Sequence, residues 1–264
     1  MKRVWIASTI GIAVAVLAMW FAPLTVRAQQ RGTGAAPPAP ANAPAPRLAD
    51  GHLDLSGVWW TGGDVGGRGY GGGRGRGGRG ARGAGPAPVR FTDLYTPEAA
   101  AAARALDDDD DPTLRCTPTA LGTLNVSLFD VGAVGQIIST PQVVVMLTET
   151  FHAYKLVPTD GRPHREDVPP SRRGDSVGRW DGDVFVVETR NFTDDTWMWA
   201  EGQVSPHSGQ LRIVERYRRV DHNTLEIVAT VFDPEVLTGP WTVPTQTLVL
   251  APFDQILPLD CAGL

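Results

Sequence analysis

Short runs of β-branched and aromatic residues, separated by turn residues, dominate the chain from residue 134 onward. Runs of this kind predict β-strands. One helix is predicted after Thr96, an N-cap residue that Pro97, Glu98 and a run of alanines follow. Many short strands and one short helix indicate a mainly β protein, either a single antiparallel β-barrel or a sandwich. The predicted strands are residues 55–60, 134–139, 142–150, 152–157, 177–191 (as a hairpin), 211–220, 225–232 and 241–250.

One predicted hairpin places a carboxylate on an apolar face. A three-residue turn at 221–223 pairs Tyr217 with Ile227 and puts Glu215 between Ile213 and Tyr217. A carboxylate on such a face must be paired with a cation or be protonated. We therefore predict that Glu215 lies inside the barrel. It is either part of an ion pair with an arginine or a general acid or base.

The second hairpin leaves the identity of the interior face open. A turn at residues 181–182 pairs Arg179 with Val184. Both faces of this hairpin are half apolar, so either Trp180 or Arg179 faces the interior. In the second case, Arg179 is the expected partner of Glu215.

Aromatic and cationic side chains on the strands are the candidates for binding a small molecule. Tyr154 shares one face of its predicted strand with His152 and Leu156, and Lys155 points the other way. Trp197 and Trp199 form either a contact at the barrel rim or a stacking platform for a flat ligand. The predicted ligand-binding residues are Arg179, Tyr154, Trp180, Tyr217, Trp197 and Trp199.

Three histidines are candidates for catalysis or metal binding. His152 is the predicted acid/base partner of Glu215. If the turns that carry His164 and His207 fold over the same barrel mouth as His152, three imidazoles would suit Zn²⁺ or Cu²⁺. No histidine spacing typical of metal sites supports this cluster, so three locally satisfied histidines are the alternative.

The N-terminus has the three-part layout of an export signal. Lys2 and Arg3 precede an apolar run, and Val26 and Ala28 offer small side chains at positions −3 and −1 of a cleavage site. We predict that residues 1–28 are removed and that the mature protein is periplasmic or secreted, without stable membrane insertion. An uncleaved anchor is the alternative.

Two low-complexity segments flank the first predicted strand. Residues 29–50 are rich in Ala and Pro, and residues 62–85 are almost entirely Gly and Arg. Such segments bury too little apolar surface to fold, so we predict a disordered tether and a disordered insert in one barrel domain, residues 51–264. Arg/Gly runs are typical of RNA-binding segments, but export and a net charge of −5 argue against a nucleic-acid partner.

The two cysteines of the chain are Cys116 and Cys261. In an oxidising compartment, a pair of this kind most simply forms one disulfide. We therefore predict a covalent link between the two ends of the folded part.

Several blocks of sequence resemble a family of exported, uncharacterised bacterial proteins. The resemblance covers roughly residues 52–261 without the Gly/Arg insert and implies no mechanism. Gly57-Val58-Trp59 is also similar to the G-x-W signature of lipocalin-type barrels, which implies a lipocalin-like or calycin-like barrel. The blocks that carry the family resemblance are Asp111-Pro-Thr-Leu-Arg-Cys-Thr-Pro118, Asp160-Gly-Arg-Pro-His164, Ser176-Val-Gly-Arg-Trp-Asp-Gly-Asp183 and Glu215-Arg-Tyr-Arg-Arg-Val-Asp221.

The sequence contains no nucleophile elbow, zinc-protease helix, phosphate-binding loop or dinucleotide fingerprint. We therefore predict no cofactor. The pattern favours a barrel that binds a small apolar or aromatic molecule in its lumen. The alternatives are a cofactor-free lyase, isomerase or hydrolase that uses Glu215 and His152, and an envelope protein with a filled core.

Overall fold

The computed structural model describes residues 40, 43–61, 89–120, 134–149, 153–198, 200 and 205–257. The helix, α1, spans Pro97–Ala105, and the Thr96 side chain caps it by accepting a hydrogen bond from the Ala99 backbone N–H at 3.2 Å, as the sequence predicts. The strands of the described residues are β1 Gly57–Trp60, β2 Val134–Ser139, β3 Val143–Thr148, β4 Tyr154–Pro158, β5 Asp175–Asp181, β6 Val184–Arg190, β7 Arg212–Arg219, β8 Thr224–Phe232, β9 Trp241–Thr242 and β10 Gln246–Leu250.

Nine strands form one antiparallel sheet that curls into a nearly closed barrel. Around the barrel the order is β4-β3-β2-β1-β10-β8-β7-β6-β5, and the short β9 pairs with β8 outside this path. The prediction of a mainly β protein with one antiparallel barrel and one short helix is confirmed. The sandwich alternative is wrong.

The barrel closes where β4 meets β5, and we call this junction the seam. Each pairing along the path is antiparallel, so the odd number of strands makes the two end strands parallel. The sheet path ends at β4 and β5, and no ladder joins these two described strands. At Gly178 the seam is close-packed, because an added Cβ would lie 2.7 Å from Val157 Cγ1. The Gly161 backbone N–H donates to the Gly178 carbonyl at 3.1 Å nearby.

The β7–β8 hairpin has the predicted register. Tyr217 pairs with Ile227, Glu215 with Ala229, and the Val220 backbone N–H donates to the Thr224 carbonyl across the turn. Buried and more exposed residues alternate along both strands. This register places Glu215 in the barrel interior, so that prediction is confirmed.

The β5–β6 turn lies one residue later than predicted. Asp181 pairs with Val184 and Arg179 with Val186, so the predicted pairing of Arg179 with Val184 is wrong. Gly182, with φ of 58°, occupies the first central position of the turn, where only glycine adopts this conformation at little cost. In this register Trp180 faces the interior and Arg179 is exposed.

One hydrophobic core fills the barrel. Trp59 is fully buried, its indole N–H donates to the Leu55 carbonyl at 3.0 Å, and the Arg219 guanidinium lies 4.9 Å from its ring centre. Large aromatic and aliphatic side chains occupy much of the interior. The largest fully buried side chains are Trp59, Tyr217, Phe91, Phe185, Leu55, Ile137, Met146, Met198, Leu211, Leu225 and Ile227.

Residues 43–54 pack across the barrel end that carries the β5–β6 and β7–β8 turns. The His222 backbone N–H donates to the Ala43 carbonyl at 2.8 Å, and Arg47 forms two hydrogen bonds with Asp183 at 2.8 and 2.9 Å. The predicted disordered tether is therefore wrong for residues 43–50. Composition gave no sign of these partners, because they lie on distant turns.

Several predictions concern residues outside the described ranges. These are the signal at 1–28, most of the tether, the insert at 62–85 and the pairing of Cys116 with Cys261, and they stay predictions. Cys116 is described and is not a free thiol. The described residues from 40 onward cluster as one compact unit. Among the described residues, no helix combines the length and the hydropathy needed to cross a membrane.

Candidate functional site

A buried ion pair lies inside the barrel beside the seam. Lys155 Nζ on β4 is 3.0 Å from Glu215 Oε2 on β7, and the two side chains are 7% and 2% exposed. The Tyr217 hydroxyl donates to the other carboxylate oxygen of Glu215 at 2.8 Å. Glu215 therefore accepts one hydrogen bond from a cation and one from a phenol.

Two hydroxyl groups extend this arrangement to β5 and β6. Lys155 Nζ also donates to Thr189 Oγ1 at 3.2 Å, and Thr189 shares a 2.9 Å hydrogen bond with Ser176. The side-chain bonds of Lys155 thus tie β4 to β6 and β7 across the seam, where backbone pairing is missing. We call these five residues, Lys155, Ser176, Thr189, Glu215 and Tyr217, the seam cluster.

The environment of the seam cluster shifts two protonation equilibria. Burial lowers the pKa of the Lys155 ammonium; Glu215 opposes this shift, and the positive charge of Arg173 adds to it. Burial and the negative charge of Glu215 raise the pKa of Tyr217 well above its usual value. The phenol therefore stays protonated at neutral pH, while the ammonium proton is held less tightly than in water.

A pocket of about 810 Å³ opens at the seam, and we call it the seam pocket. Lys155 and Ser176 belong to both the seam cluster and the pocket lining. The apolar part of the lining includes Tyr154, Leu156, Pro158, Pro163 and Val177. The pocket therefore joins an apolar entrance to a buried polar cluster.

Positive charge dominates the lining of the seam pocket. Its cations are Lys155, Arg162, Arg165 and Arg173, and Asp175 is the one carboxylate among the lining residues. An excess of cationic side chains in a concave site attracts anions, because low-dielectric walls concentrate the field.

The partners of these arginines differ in exposure. Arg162 pairs with Asp160 at 2.7 Å, and both side chains are more than half exposed. Arg165 pairs at 2.8 Å with the buried Asp175. Burial raises the pKa of Asp175, but hydrogen bonds from His164 and Arg165 outweigh this effect and lower it overall.

Arg179 and Tyr154 do not face the lumen as predicted. Glu215 is inside the barrel, but its partner is Lys155, and Arg179 is exposed on the other face of β5. Tyr154 is 60% exposed on the outer face of β4, where its inward-facing neighbour is Lys155. Tyr154 lines the entrance of the seam pocket instead.

The remaining described aromatic candidates pack against protein groups. The Trp180 ring stacks on His52 with ring centres 4.7 Å apart. Tyr217 is fully buried against Glu215. Trp197 is 6% exposed, which supports a packing contact and leaves no open ring face for a stacking platform.

Both candidate histidines in the described part of the chain have local partners, although His164 Nε2 is buried without a hydrogen bond and lies 3.6 Å from Glu188 Oε1. His164 Nδ1 lies 2.9 Å from Asp175 Oδ2, and His207 contacts the Thr196 hydroxyl at 2.7 Å and the Ser208 carbonyl at 3.0 Å. Burial lowers the pKa of His207, which favours the neutral ring. No group of metal-ligating side chains large enough to hold an ion occurs among the described residues.

Lys155 is the charged member of the seam cluster that the sequence reasoning missed, and Ser176 and Thr189 were also given no role. The strand pattern assigned Lys155 to the face opposite Tyr154, but no role was given to that face. A signal was present, because the chain contains 22 arginines and two lysines, Lys2 and Lys155. Arginine is the usual cation of this chain, so a lone lysine in an alternating strand marks a position with a different requirement.

A second cavity, of about 870 Å³, lies beside the loop that follows β8. Its lining includes Arg190, Arg212 and Asp233. The Asp233 carboxylate is already bound to the Ser208 backbone N–H and hydroxyl at 2.7 and 2.6 Å, and Arg212 lies over the Phe232 ring. No predicted site residue lines this cavity, so the seam pocket is the stronger candidate.

His152 and Trp199 lie outside the described residues, so their predicted roles stay predictions. A scan with protein-family models and searches of curated proteins and solved structures find no match to this chain. The resemblances to exported bacterial proteins and to lipocalin-type barrels therefore also stay predictions.

Proposed function

We propose that this protein binds a small organic anion with an apolar or aromatic body in the seam pocket. The observation that carries this proposal is the lining, which sets four cations and one carboxylate among apolar side chains. A volume of about 810 Å³ lies in the range of small-molecule sites.

Arg162 is well placed to bind the anionic group of a ligand. Its pair with Asp160 is open to solvent. Water and salt screen exposed pairs of this kind, so Arg162 can turn toward a ligand at low cost. Of the other lining cations, Lys155 and Arg165 are already paired with the buried carboxylates of Glu215 and Asp175.

Tyr154 and Leu156 supply the apolar side of the proposed site. They are 60% and 55% exposed on β4, next to the seam. Exposed apolar side chains grouped at a pocket entrance are typical of ligand-binding surfaces. An aromatic or aliphatic ligand that covers them removes apolar surface of both the ligand and the protein from water, which favours binding.

The proposal keeps the apolar or aromatic body that the sequence suggests, adds an anionic group, and moves the ligand from the lumen to the seam. Core side chains such as Trp59, Ile137 and Met146 occupy the barrel interior. If residues 1–28 direct export, the protein meets its ligand in the periplasm or outside the cell. The export and the compartment in which the ligand is met rest on the sequence alone and are proposals.

Calorimetric titration with phenylalkyl carboxylates and the matching alcohols tests this proposal. We expect one carboxylate to bind per chain and the alcohols to bind more weakly. Arg162→Ala should weaken carboxylate binding about tenfold, since a hydrogen bond to a charged group is worth about 1.5–3 kcal/mol. Arg172→Ala is the matched control, because Arg172 forms a similar exposed pair with Asp195 and does not line the pocket.

Equal affinity for carboxylates and alcohols would contradict the proposed anion preference. Equal effects of Arg162→Ala and Arg172→Ala would show that binding occurs elsewhere. Absence of binding across the whole series would overturn the proposal.

A cofactor-free enzyme in the same pocket is the second candidate. It is favoured by one observation, the contact of Glu215 and its partner Tyr217 with Lys155, which lines the pocket. These are groups that donate, accept and hold protons. Turnover of a bound carboxylate, lost in Glu215→Gln while binding remains, is the result that would support it.

A further inference from the structure

We propose that the Lys155 amine forms a Schiff base with the carbonyl carbon of an aldehyde or ketone ligand in the seam pocket. This inference rests on the proposed function and specifies its ligand as a carbonyl compound that carries an anionic group.

The position of Lys155 suits a nucleophile. Its side chain is 7% exposed and Lys155 is among the lining residues, so the proposal brings the ligand carbonyl to an amine that is largely shielded from bulk water. An amine attacks a carbonyl through its neutral form, and a guanidinium stays protonated in proteins. The use of lysine in a chain whose other basic residues after position 2 are arginines fits this requirement.

The surroundings of Lys155 favour loss of its proton. Burial and the charge of Arg173 lower the pKa of the ammonium. Desolvation and a neighbouring cation are the two features that activate lysine nucleophiles. Glu215 Oε2, at 3.0 Å, is in position to take the proton, and the Tyr217 hydroxyl holds the opposite oxygen, Oε1.

The proposed reaction balances without an oxidant or reductant. The ammonium gives a proton to Glu215, and the Nζ lone pair then attacks the carbonyl carbon, so an N–C bond forms as the C=O π bond breaks. Glu215 returns the proton to the new alkoxide and accepts one from nitrogen. Protonation of the hydroxyl releases water and leaves a protonated imine, so ammonium plus carbonyl gives iminium plus water.

Glu215 is the proton carrier in this scheme, and Tyr217 is a positioning residue. Thr189 accepts a second hydrogen bond from Nζ at 3.2 Å, which restricts the rotation of the amine. A purely structural ion pair would have the same contacts but no reactivity toward a bound carbonyl. Reactivity is therefore the property that separates the two interpretations.

Reductive trapping on the full chain tests this inference. The protein is incubated with 4-carboxybenzaldehyde and sodium cyanoborohydride, and peptide mapping by mass spectrometry then locates the secondary amine. We expect one adduct at Lys155, formed about tenfold or more faster than adducts at the chain's α-amine, because binding holds the carbonyl beside Nζ. The α-amine, and Lys2 where it is retained, serve as internal controls that need no variant.

Two comparisons link the adduct to the pocket. 4-Carboxybenzyl alcohol, which has no carbonyl, should compete for the pocket and slow labelling of Lys155 but not of the α-amine. Lys155→Arg keeps the positive charge and should abolish the fast adduct.

Labelling of Lys155 no faster than the α-amine would overturn the inference. If calorimetry shows that 4-carboxybenzyl alcohol binds under these conditions, the proposed binding function is still supported even though no Schiff base forms. Equally fast labelling by benzaldehyde would support the amine chemistry and contradict the anion preference of the pocket.

Discussion

At the residue scale, the buried pair of Lys155 and Glu215 is the most consequential contact of the molecule. Each charged group needs the other as its partner, because both side chains are removed from water and a buried charge without a partner is strongly unfavourable. The sequence predicted the interior position of Glu215, since one hairpin fixed its face. It did not predict Lys155 as the partner, because this contact joins strands that are distant in sequence and share no ladder.

Removing one charge of the pair should destabilise the protein strongly. We expect Glu215→Gln to lower the free energy of unfolding by about 3 kcal/mol or more at pH 7, because it leaves the Lys155 ammonium buried beside an amide. The loss should shrink as the pH rises, since the folded variant releases the Lys155 proton at a lower pH than the unfolded chain, which keeps it until about pH 10.4. Urea denaturation across this pH range measures both effects.

Glu226→Gln is the matched control, because Glu226 lies on neighbouring β8 and is 3.8 Å from Arg218 at the surface. A change below about 0.5 kcal/mol is expected there. If both variants lower the free energy of unfolding equally, the buried pair of Lys155 and Glu215 contributes no more to stability than the exposed pair does.

His207 should make the protein less stable in acid. Burial lowers the pKa of His207, so between its folded value and about 6.5 the unfolded chain binds a proton that the folded chain does not. Stability should therefore fall as the pH drops below about 6.5, and His207→Gln should flatten this slope. Thr196→Val, which removes a partner of the ring but not the titrating group, should keep the slope; a flat wild-type profile would contradict the assignment.

At the element scale, turn chemistry decided which registers could be predicted. Asp221 to Asn223 allowed one simple arrangement, and β7 and β8 adopt it. The Asp-Gly signal of the β5–β6 hairpin predicted a turn at 181–182, but the turn lies one residue later, with Gly182 at its first central position. That shift changed the predicted pairings but not the two faces, so Arg179 is on the same face of the hairpin in either register.

The close approach of β4 and β5 should depend on the missing side chain of Gly178. A Cβ there would lie 2.5 Å from the Phe185 ring and 2.7 Å from Val157. We expect Gly178→Ala to lower the free energy of unfolding by about 1–3 kcal/mol through overpacking, and to widen the seam. Gly239→Ala, where nothing lies within 4 Å of the new Cβ, should be nearly neutral. Thermal unfolding of both variants measures the difference, and equal midpoints would show that the seam is not tight.

At the scale of the whole molecule, the barrel class could be predicted and the binding site could not. Strand number and turn spacing are local properties, and they were sufficient for the fold class. The seam pocket depends on how nine strands close, and thus on which two strands meet without pairing. The local pattern of β4 and β5 contains no information about that meeting.

The cysteines give a prediction about the whole chain. We expect thiol titration of the denatured, unreduced protein to find no free sulfhydryl, because Cys116 and Cys261 are predicted to be bonded. Reduction should lower stability by up to about 4–5 kcal/mol, since the bond closes a long loop. Two titratable thiols in the unreduced protein would rule the bond out.

The central claim is that an organic anion binds in the seam pocket beside Lys155, and nitrogen NMR tests it most directly. With two lysines in the chain, lysine labelled at ¹⁵Nζ gives at most two side-chain signals, and Lys155→Arg identifies one of them. We expect the Lys155 signal to shift saturably with a phenylalkyl carboxylate, with the affinity found by calorimetry. Binding of the carboxylate with an unchanged Lys155 signal would contradict the account.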